Sequence, residues 1–279
     1  MKPASVFLIT GAANGIGRAT ADLVVEQGHK VAICDIDADG AAELAGTLGE
    51  ASYPLQLDVR SETDWAEALD LCWKRFGGVD VVVNNAGLIH NGFVRDQTAD
   101  DIRHMVEVNY LALITACRTV VPRFIEQGYG HVINIGSLAG FVPLKGQAVY
   151  SGTKHAVRAF HHALALEHEN DPVDFSLVCP AAVDTGMLKQ QIGHESAALS
   201  FADESLTASE VAQGILHAAE HKPVELVLPA VRGELIRLLG VYPAMVKRIT
   251  HASEARGARA MERMQPKSAS ESDPRYHRG

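Results

Sequence analysis

Tyr150 and Lys154 stand four apart in Y-S-G-T-K, and Ser137 lies upstream at the end of the apolar run H-V-I-N-I-G. On a helix the first two share a face. A phenol titrates near pKa ~10 and is a poor base at neutral pH. An ammonium beside it favours the phenolate and lowers that value. So tuned, Tyr150 can exchange a proton with a carbinol, and Ser137 could hydrogen-bond the same oxygen. The expected chemistry is proton transfer at an alcohol or a carbonyl.

A second cluster supplies the other half of a redox reaction. Residues 10–17 read T-G-A-A-N-G-I-G, directly after the apolar run Val6 to Thr10. A helix-compatible stretch follows from about Ile16 to Glu26 and stops before Gly28. Glycines let a backbone approach a pyrophosphate, and a helix N-terminus offers free N–H groups and partial positive charge. The spacing of Gly11, Gly15 and Gly17 differs from the common G-x-G-x-x-G fingerprint. The next apolar run, Lys30 to Cys34, ends at Asp35. A carboxylate there can accept hydrogen bonds from ribose hydroxyls and would repel a 2′-phosphate. Asp37 is the second candidate for that role. No arginine or lysine stands at Asn14 or Ile36 to read a phosphate. The expected cofactor is NAD, and the expected reaction is hydride transfer.

These residues need a scaffold that gathers them. Strand-like runs fall near 5–10, 30–35, 52–57, 79–84, 131–136, 174–179 and 224–228. Helix-like runs fall near 15–27, 38–48, 62–76, 98–127, 149–169 and 208–220. Alternation of this kind predicts an α/β fold: a single-domain, doubly wound parallel sheet of Rossmann type with helices on both faces. Gly11, Asp35, Asp58, Asn84, Ser137 and Pro180 each follow a strand, where such sheets bind ligands. The catalytic domain is expected to span 1–230. Within it, 184–207 is long enough for a lid over a binding site. Residues 231–261 read as an amphipathic helical extension, broken at Pro243, and 262–279 as a disordered tail.

Composition narrows the class. The 279 residues are 47% hydrophobic and 21% charged, with net charge −9 and no basic stripe in the main body, so nucleic acid is not an expected partner. Cys34, Cys72, Cys117 and Cys179 are scattered in apolar contexts and read as buried thiols in a reducing compartment. The first strand begins too early for a signal peptide, and no run is long enough to span a membrane. A cytoplasmic protein is expected. Among 13 histidines, His155, His161, His162 and His168 share one predicted helix without the i,i+4 spacing that favours metal binding. They read as surface or subunit-contact residues, and no metal is expected.

Residues 4–230 resemble the short-chain dehydrogenase/reductase family in its shorter branch. The likeness rests on T-G-A-A-N-G-I-G, Asp58-Val59, N-N-A-G at 84–87, Asn109, Ser137, Y-S-G-T-K and P-A-A-V-D-T at 180–185. The resemblance implies that Tyr150 is the general acid/base, with Lys154 lowering its pKa and binding the nicotinamide ribose. It makes Ser137 the group that orients the substrate oxygen and Asn109 the holder of a relay water. Asp58 and Val59 would contact adenine, and Asn85, Ala86 and Gly87 would line the adenosine and ribose path. Pro180, Val183 and Thr185 would frame the carboxamide. Ala181 departs from the glycine usual after that proline, which puts nicotinamide geometry in question. The likeness also implies a homodimer or homotetramer packed through 98–127 and 149–169.

Leu138, Phe141, Val142 and Leu144 on the loop after Ser137, with Met187 and Leu188 on the lid, predict an apolar substrate pocket. A bulky lipophilic secondary alcohol or its ketone, hydroxysteroid-like or aryl-alkanol, is the expected substrate. The alternatives are a fatty-acyl or small carbonyl substrate, or a non-redox lyase or epimerase that retains NAD. For 232–250, contact with the cleft or with a neighbouring subunit is preferred over contact with a membrane surface.

Overall fold

The computed structural model describes residues 4–264 apart from Tyr242. The chain alternates strand and helix from its start: β1 (Val6–Thr10), α1 (Gly15–Glu26), β2 (Lys30–Asp35), α2 (Ala38–Leu48), β3 (Ser52–Gln56), α3 (Glu62–Phe76) and β4 (Val81–Asn84). It continues with α4 (Ala99–Val106), α5 (Ala112–Gln127), β5 (Gly130–Ile135), α6 (Ala148–Glu167) and β6 (Val173–Pro180). After β6 come the two-residue strand β7 (Val183–Asp184), the short helix α7 (Gly186–Lys189) and β8 (Leu206–Thr207). Helix α8 (Ala208–His221), β9 (Glu225–Leu228), α9 (Ala230–Val241) and α10 (Pro243–Met264) complete it.

Seven strands form one parallel sheet in the order β3-β2-β1-β4-β5-β6-β9. Their sequences are near-continuous apolar runs because both faces are covered. One face buries Trp65, Leu69, Phe124 and Val157 against Leu8 and Val132; the other buries Val24, Leu44 and Ile215 against Phe7 and Ile133. The strand order reverses between β1 and β4, which opens a crevice beyond their C-terminal ends. This is the expected Rossmann-type architecture.

Three segments depart from expectation. The helix expected over 98–127 is two helices joined by a π-helical turn at Glu107–Leu111. Such wide turns recur at functional sites, and this one contains Asn109. The segment 184–207 is gathered at its base by pairing of β7 with β8, and by Leu206 N–H donating to the Ala182 carbonyl at 2.8 Å. Helix α10 runs through Met264, past the expected start of the tail; 265–279 lies outside the described residues.

Buried polar groups sit beneath the sheet. His161, expected at the surface, is fully buried: its Nδ1 meets the Asn134 amide at 3.2 Å and its Nε2 the Val224 carbonyl at 3.0 Å. Burial pushes its pKa down to about 4. The four cysteines are free and buried, and burial raises the Cys72, Cys117 and Cys179 thiols to about 12. No helix among the described residues is long and apolar enough to cross a membrane.

Candidate active site

A cavity of ≈ 1280 Å³ runs along the C-terminal strand ends, from Asp35 to α9 and α10. Its glycine turn is held by backbone geometry. Gly11 and Gly15 have φ of 62° and 56°, the left-handed region that L side chains rarely adopt. At Gly17 the constraint is contact, since a Cβ there would fall 2.2 Å from the Gly11 carbonyl oxygen. Gly17 is therefore buried behind the cavity, while Gly11, Asn14, Gly15 and Ile16 border it.

Tertiary bonds fix the turn further. Asp35 accepts from the Ala13 N–H at 2.9 Å and the Asp37 N–H at 3.0 Å, which aims its carboxylate at the cavity wall. Asp37 instead accepts from Gly40 N–H as the N-cap of α2 and does not border the cavity. Ile36 is 62% exposed at the rim. The Asn85 amide donates to the Thr10 and Gly11 carbonyls at 2.8 and 3.1 Å, while Thr10 Oγ1 accepts from the Asn85 and Ala86 N–H groups at 3.0 and 3.1 Å. Asn85, Ala86 and Gly87 thus face the cavity on a strand end stapled to the turn. Thr10 is a brace that the sequence reading passed over.

Asp58 and Val59 also border the cavity. The Asp58 carboxylate is gripped by Arg60, whose Nη2 lies at 2.6 Å, and this hydrogen bond holds its pKa below the usual range. Arg60 and His104 line the same end and were not expected there.

Ser137 follows β5 and its Oγ accepts from the Ala139 N–H at 3.1 Å. Tyr150 and Lys154 rise from the first turns of α6, with the ammonium 5.8 Å from the phenol ring centroid. Lys154 is 7% exposed and donates to the Ile135 carbonyl at 3.0 Å. Burial lowers its pKa to about 8. The same burial raises Tyr150, and the hydrogen bond to Ser137 works against it. The dominant influence on the phenol here is thus desolvation, not the neighbouring ammonium.

Asn109 lies behind this trio. Its Nδ2 donates to the Leu88 carbonyl and its Oδ1 accepts from the Leu88 N–H, both at 2.8 Å. That reciprocal pair leaves the side chain as a brace between the π turn and the loop after β4. Asn109 is 2% exposed and does not border the cavity.

At the far end, Pro180, Val183 and Thr185 line the wall, followed by Leu138, Val142, Leu144, Met187, Leu188 and Leu199. Phe141, expected in this group, does not reach the cavity. Its ring is buried in the core beneath α6, with the Arg158 guanidinium 4.1 Å from its centroid. A bulky aromatic at that point of the loop loses more water contact in the core than at the cavity edge. Ala181 does not have positive φ, so its methyl brings no backbone strain. Leu235, Ile236 and Leu239 of α9 and Thr250, Ser253 and Arg256 of α10 complete the wall. Arg237 of α9 pairs with Glu225 at 3.1 Å. Among the described residues, no group of three His, Cys, Asp or Glu side chains could hold a metal ion.

The cavity can hold an extended cofactor at one end and an apolar molecule at the other. The family model for short chain dehydrogenase matches residues 5–196. Among characterised sequences, the chain is 35% identical over 184 residues to 2,5-dichloro-2,5-cyclohexadiene-1,4-diol dehydrogenase LinX of Sphingobium indicum, covering 64% of this chain and 73% of that one. Among solved structures, it is similar to a short chain dehydrogenase/reductase from Burkholderia phymatum in complex with NAD: TM-score 0.77, 25% identity, 85% of this chain and 94% of that one. A short-chain dehydrogenase from Sphingobium yanoikuyae in complex with NADPH gives TM-score 0.73 and 27% identity, over 87% of this chain and 95% of that one.

Proposed function

Because the chain belongs to the short-chain dehydrogenase/reductase family, and so is an oxidoreductase with a nicotinamide cofactor, we propose that it interconverts a lipophilic secondary alcohol and its ketone using NAD(H). The observation that carries this reading is the single cavity that joins the glycine turn and Asp35 to Tyr150 and the apolar lid. The glycine turn, Ile16 and Asp35 would hold the adenosine diphosphate half, with Asp35 disfavouring a 2′-phosphate. Asp58 and Val59 would border adenine, and Val183 and Thr185 the carboxamide. When bound, the nicotinamide supplies the acceptor or donor of hydride.

The chain's own residues manage the proton and the orientation. Ser137 fixes the substrate oxygen, and Tyr150 takes or returns the carbinol proton. Lys154 binds the ribose from its seat on the Ile135 carbonyl. Its ammonium favours the phenolate that Tyr150 needs, against the desolvation that opposes it. Leu138, Leu144, Met187 and Leu188 would cover the substrate, each Å² of apolar surface gaining roughly 25 cal/mol. The relative from Sphingobium, a cyclohexadiene-diol dehydrogenase by name, supports a ring-bearing alcohol. Leu111, at the end of the π turn before α5, and Leu166 of α6 are exposed, at 47% and 71%, which supports assembly of two or four copies there. The physiological direction is alcohol to ketone, since cellular NAD pools are mostly oxidised.

Incubation with NAD and a panel of secondary alcohols, followed by NADH absorbance, tests the reading. Turnover of phenyl alkanols or hydroxysteroids ahead of polyols and short aliphatic alcohols is expected. Faster reaction with NADP, or best turnover of a polyol, would overturn the corresponding part.

A further inference from the structure

Lid and catalytic loop meet over three uncharged polar side chains for which the reading above has no use. Gln147 precedes α6, and its side chain makes no capping bond. Its Nε2 donates to Gln191 Oε1 at 2.9 Å and to Ser200 Oγ at 2.8 Å. Ser200 Oγ donates to the same Gln191 oxygen at 2.9 Å, and Gln191 Nε2 donates to the Met187 carbonyl at 3.2 Å. Gln147 and Gln191 are only 4% and 5% exposed, yet both border the cavity, as does Ser200.

Their hydrogen-bonding capacity is not exhausted. A primary amide offers two N–H donors and an oxygen with two lone pairs. Gln147 uses both donors, and Gln191 uses both lone pairs and one donor. One acceptor, Gln147 Oε1, and one donor, the second N–H of Gln191, are left beside an otherwise apolar wall of Leu144, Met187, Leu188 and Leu199. A bound molecule that covers such cavity-facing polar groups does so unfavourably unless it pairs them. Anchoring the lid alone would not need them, because Leu188, Ala197 and Phe201 of the lid already pack against Met261 of α10.

We propose that Gln147 and Gln191 form a second recognition point, which binds a neutral hydroxyl carried on the lipophilic skeleton away from the reacting carbinol. A hydroxyl both donates and accepts, so it can satisfy both leftover valences. A carboxylate offers only acceptors and would face the Gln147 oxygen. The proposal rests on the alcohol dehydrogenase reading above and adds the second functional group of the substrate.

The test is a matched pair of alcohols: a cyclic secondary alcohol, and the same ring bearing a second hydroxyl opposite the first. The wild type should favour the diol in kcat/KM by roughly tenfold, the scale of one net hydrogen bond of about 1.4 kcal/mol. Gln147→Met and, separately, Gln191→Met should bring that ratio to about one. Thermal melts accompany both variants, and Ser200→Ala, which removes bonds that fix the orientation of both amides and should halve the ratio or more, serves if either fails to fold. A parallel fall of both substrates in the variants would mean a structural tie and overturn the proposal, as would a ratio that does not change. An active wild type with no preference for the diol sinks the proposal alone. A wild type that binds NADH by fluorescence but oxidises neither alcohol sinks the underlying reading, and the proposal with it.

Discussion

The two ends of the cavity are built from different material. The end bounded by β1, β2 and β4 is made of backbone: glycines at positive φ, carbonyls held by Asn85, and N–H groups held by Asp35 and Thr10. The end bounded by the lid, α9 and α10 is made of side chains, among them Leu188, Leu199, Leu235 and Leu239. The first end hardly tolerates an added atom, because parallel strand register fixes every element that meets there. The second is assembled from parts outside the seven-stranded sheet, such as the separate β7 and β8 pair. The contrast implies that cofactor binding and substrate choice can be altered separately, with Tyr150 at the junction where they meet.

The largest effect should come from that junction. Tyr150→Phe should lower kcat about 10³-fold, within the range for loss of a general acid/base, while NADH titration by fluorescence changes little. Retention of a tenth of wild-type activity would remove Tyr150 from the role and leave the two ends without a chemical link.

Next comes the cofactor end by itself. Asp35→Ala combined with Ile36→Arg should shift the NAD to NADP ratio of kcat/KM by about 100-fold, since like-charge juxtaposition costs several kcal/mol. The ranking of alcohols should not move. A changed ranking would show that the two ends are coupled.

Two glycines sharpen the contrast at smaller scale. Gly17→Ala places a methyl 2.2 Å from the Gly11 carbonyl oxygen and should weaken NADH binding about tenfold, with a stability loss of about 1–3 kcal/mol. At the other end, a Cβ on Gly257 would lie 1.7 Å from the Ala198 carbonyl oxygen, where α10 seats on the lid. Gly257→Ala should raise the substrate KM severalfold and leave the NADH affinity unchanged. Equal effects of both variants on NADH binding would erase the distinction.

The smallest effect is expected at Ala181. Because the residue does not have positive φ, restoring glycine relieves no strain there. Ala181→Gly should change NADH affinity less than about twofold and cost only about 0.4–1 kcal/mol, through the freer unfolded chain. A large gain in affinity, read by fluorescence titration, would show that the methyl crowds the nicotinamide.

The sequence by itself determined the alternation of elements, since each buried parallel strand is a short apolar run and several helices carry their own punctuation. Thr98 with Asp101 and Thr207 with Glu210 form capping boxes where α4 and α8 begin. It also determined the residues that meet at the cleft, because in a doubly wound sheet the position just past a strand is already a position at the site. Gly11, Asp35, Ser137 and Pro180 were legible for that reason. Tertiary structure supplied what holds the two nearby carboxylates apart in role, since Asp35 is drawn to the cavity by the Ala13 N–H while Asp37 caps a helix. It likewise decided that Phe141 packs inward, that His161 is buried, and that Asn109 sits in a widened turn with its amide committed to Leu88. Gln147 and Gln191 come together across 44 residues of sequence. Such contacts leave no mark in local periodicity, because they depend on how separately folded segments lie against one another once the sheet has formed.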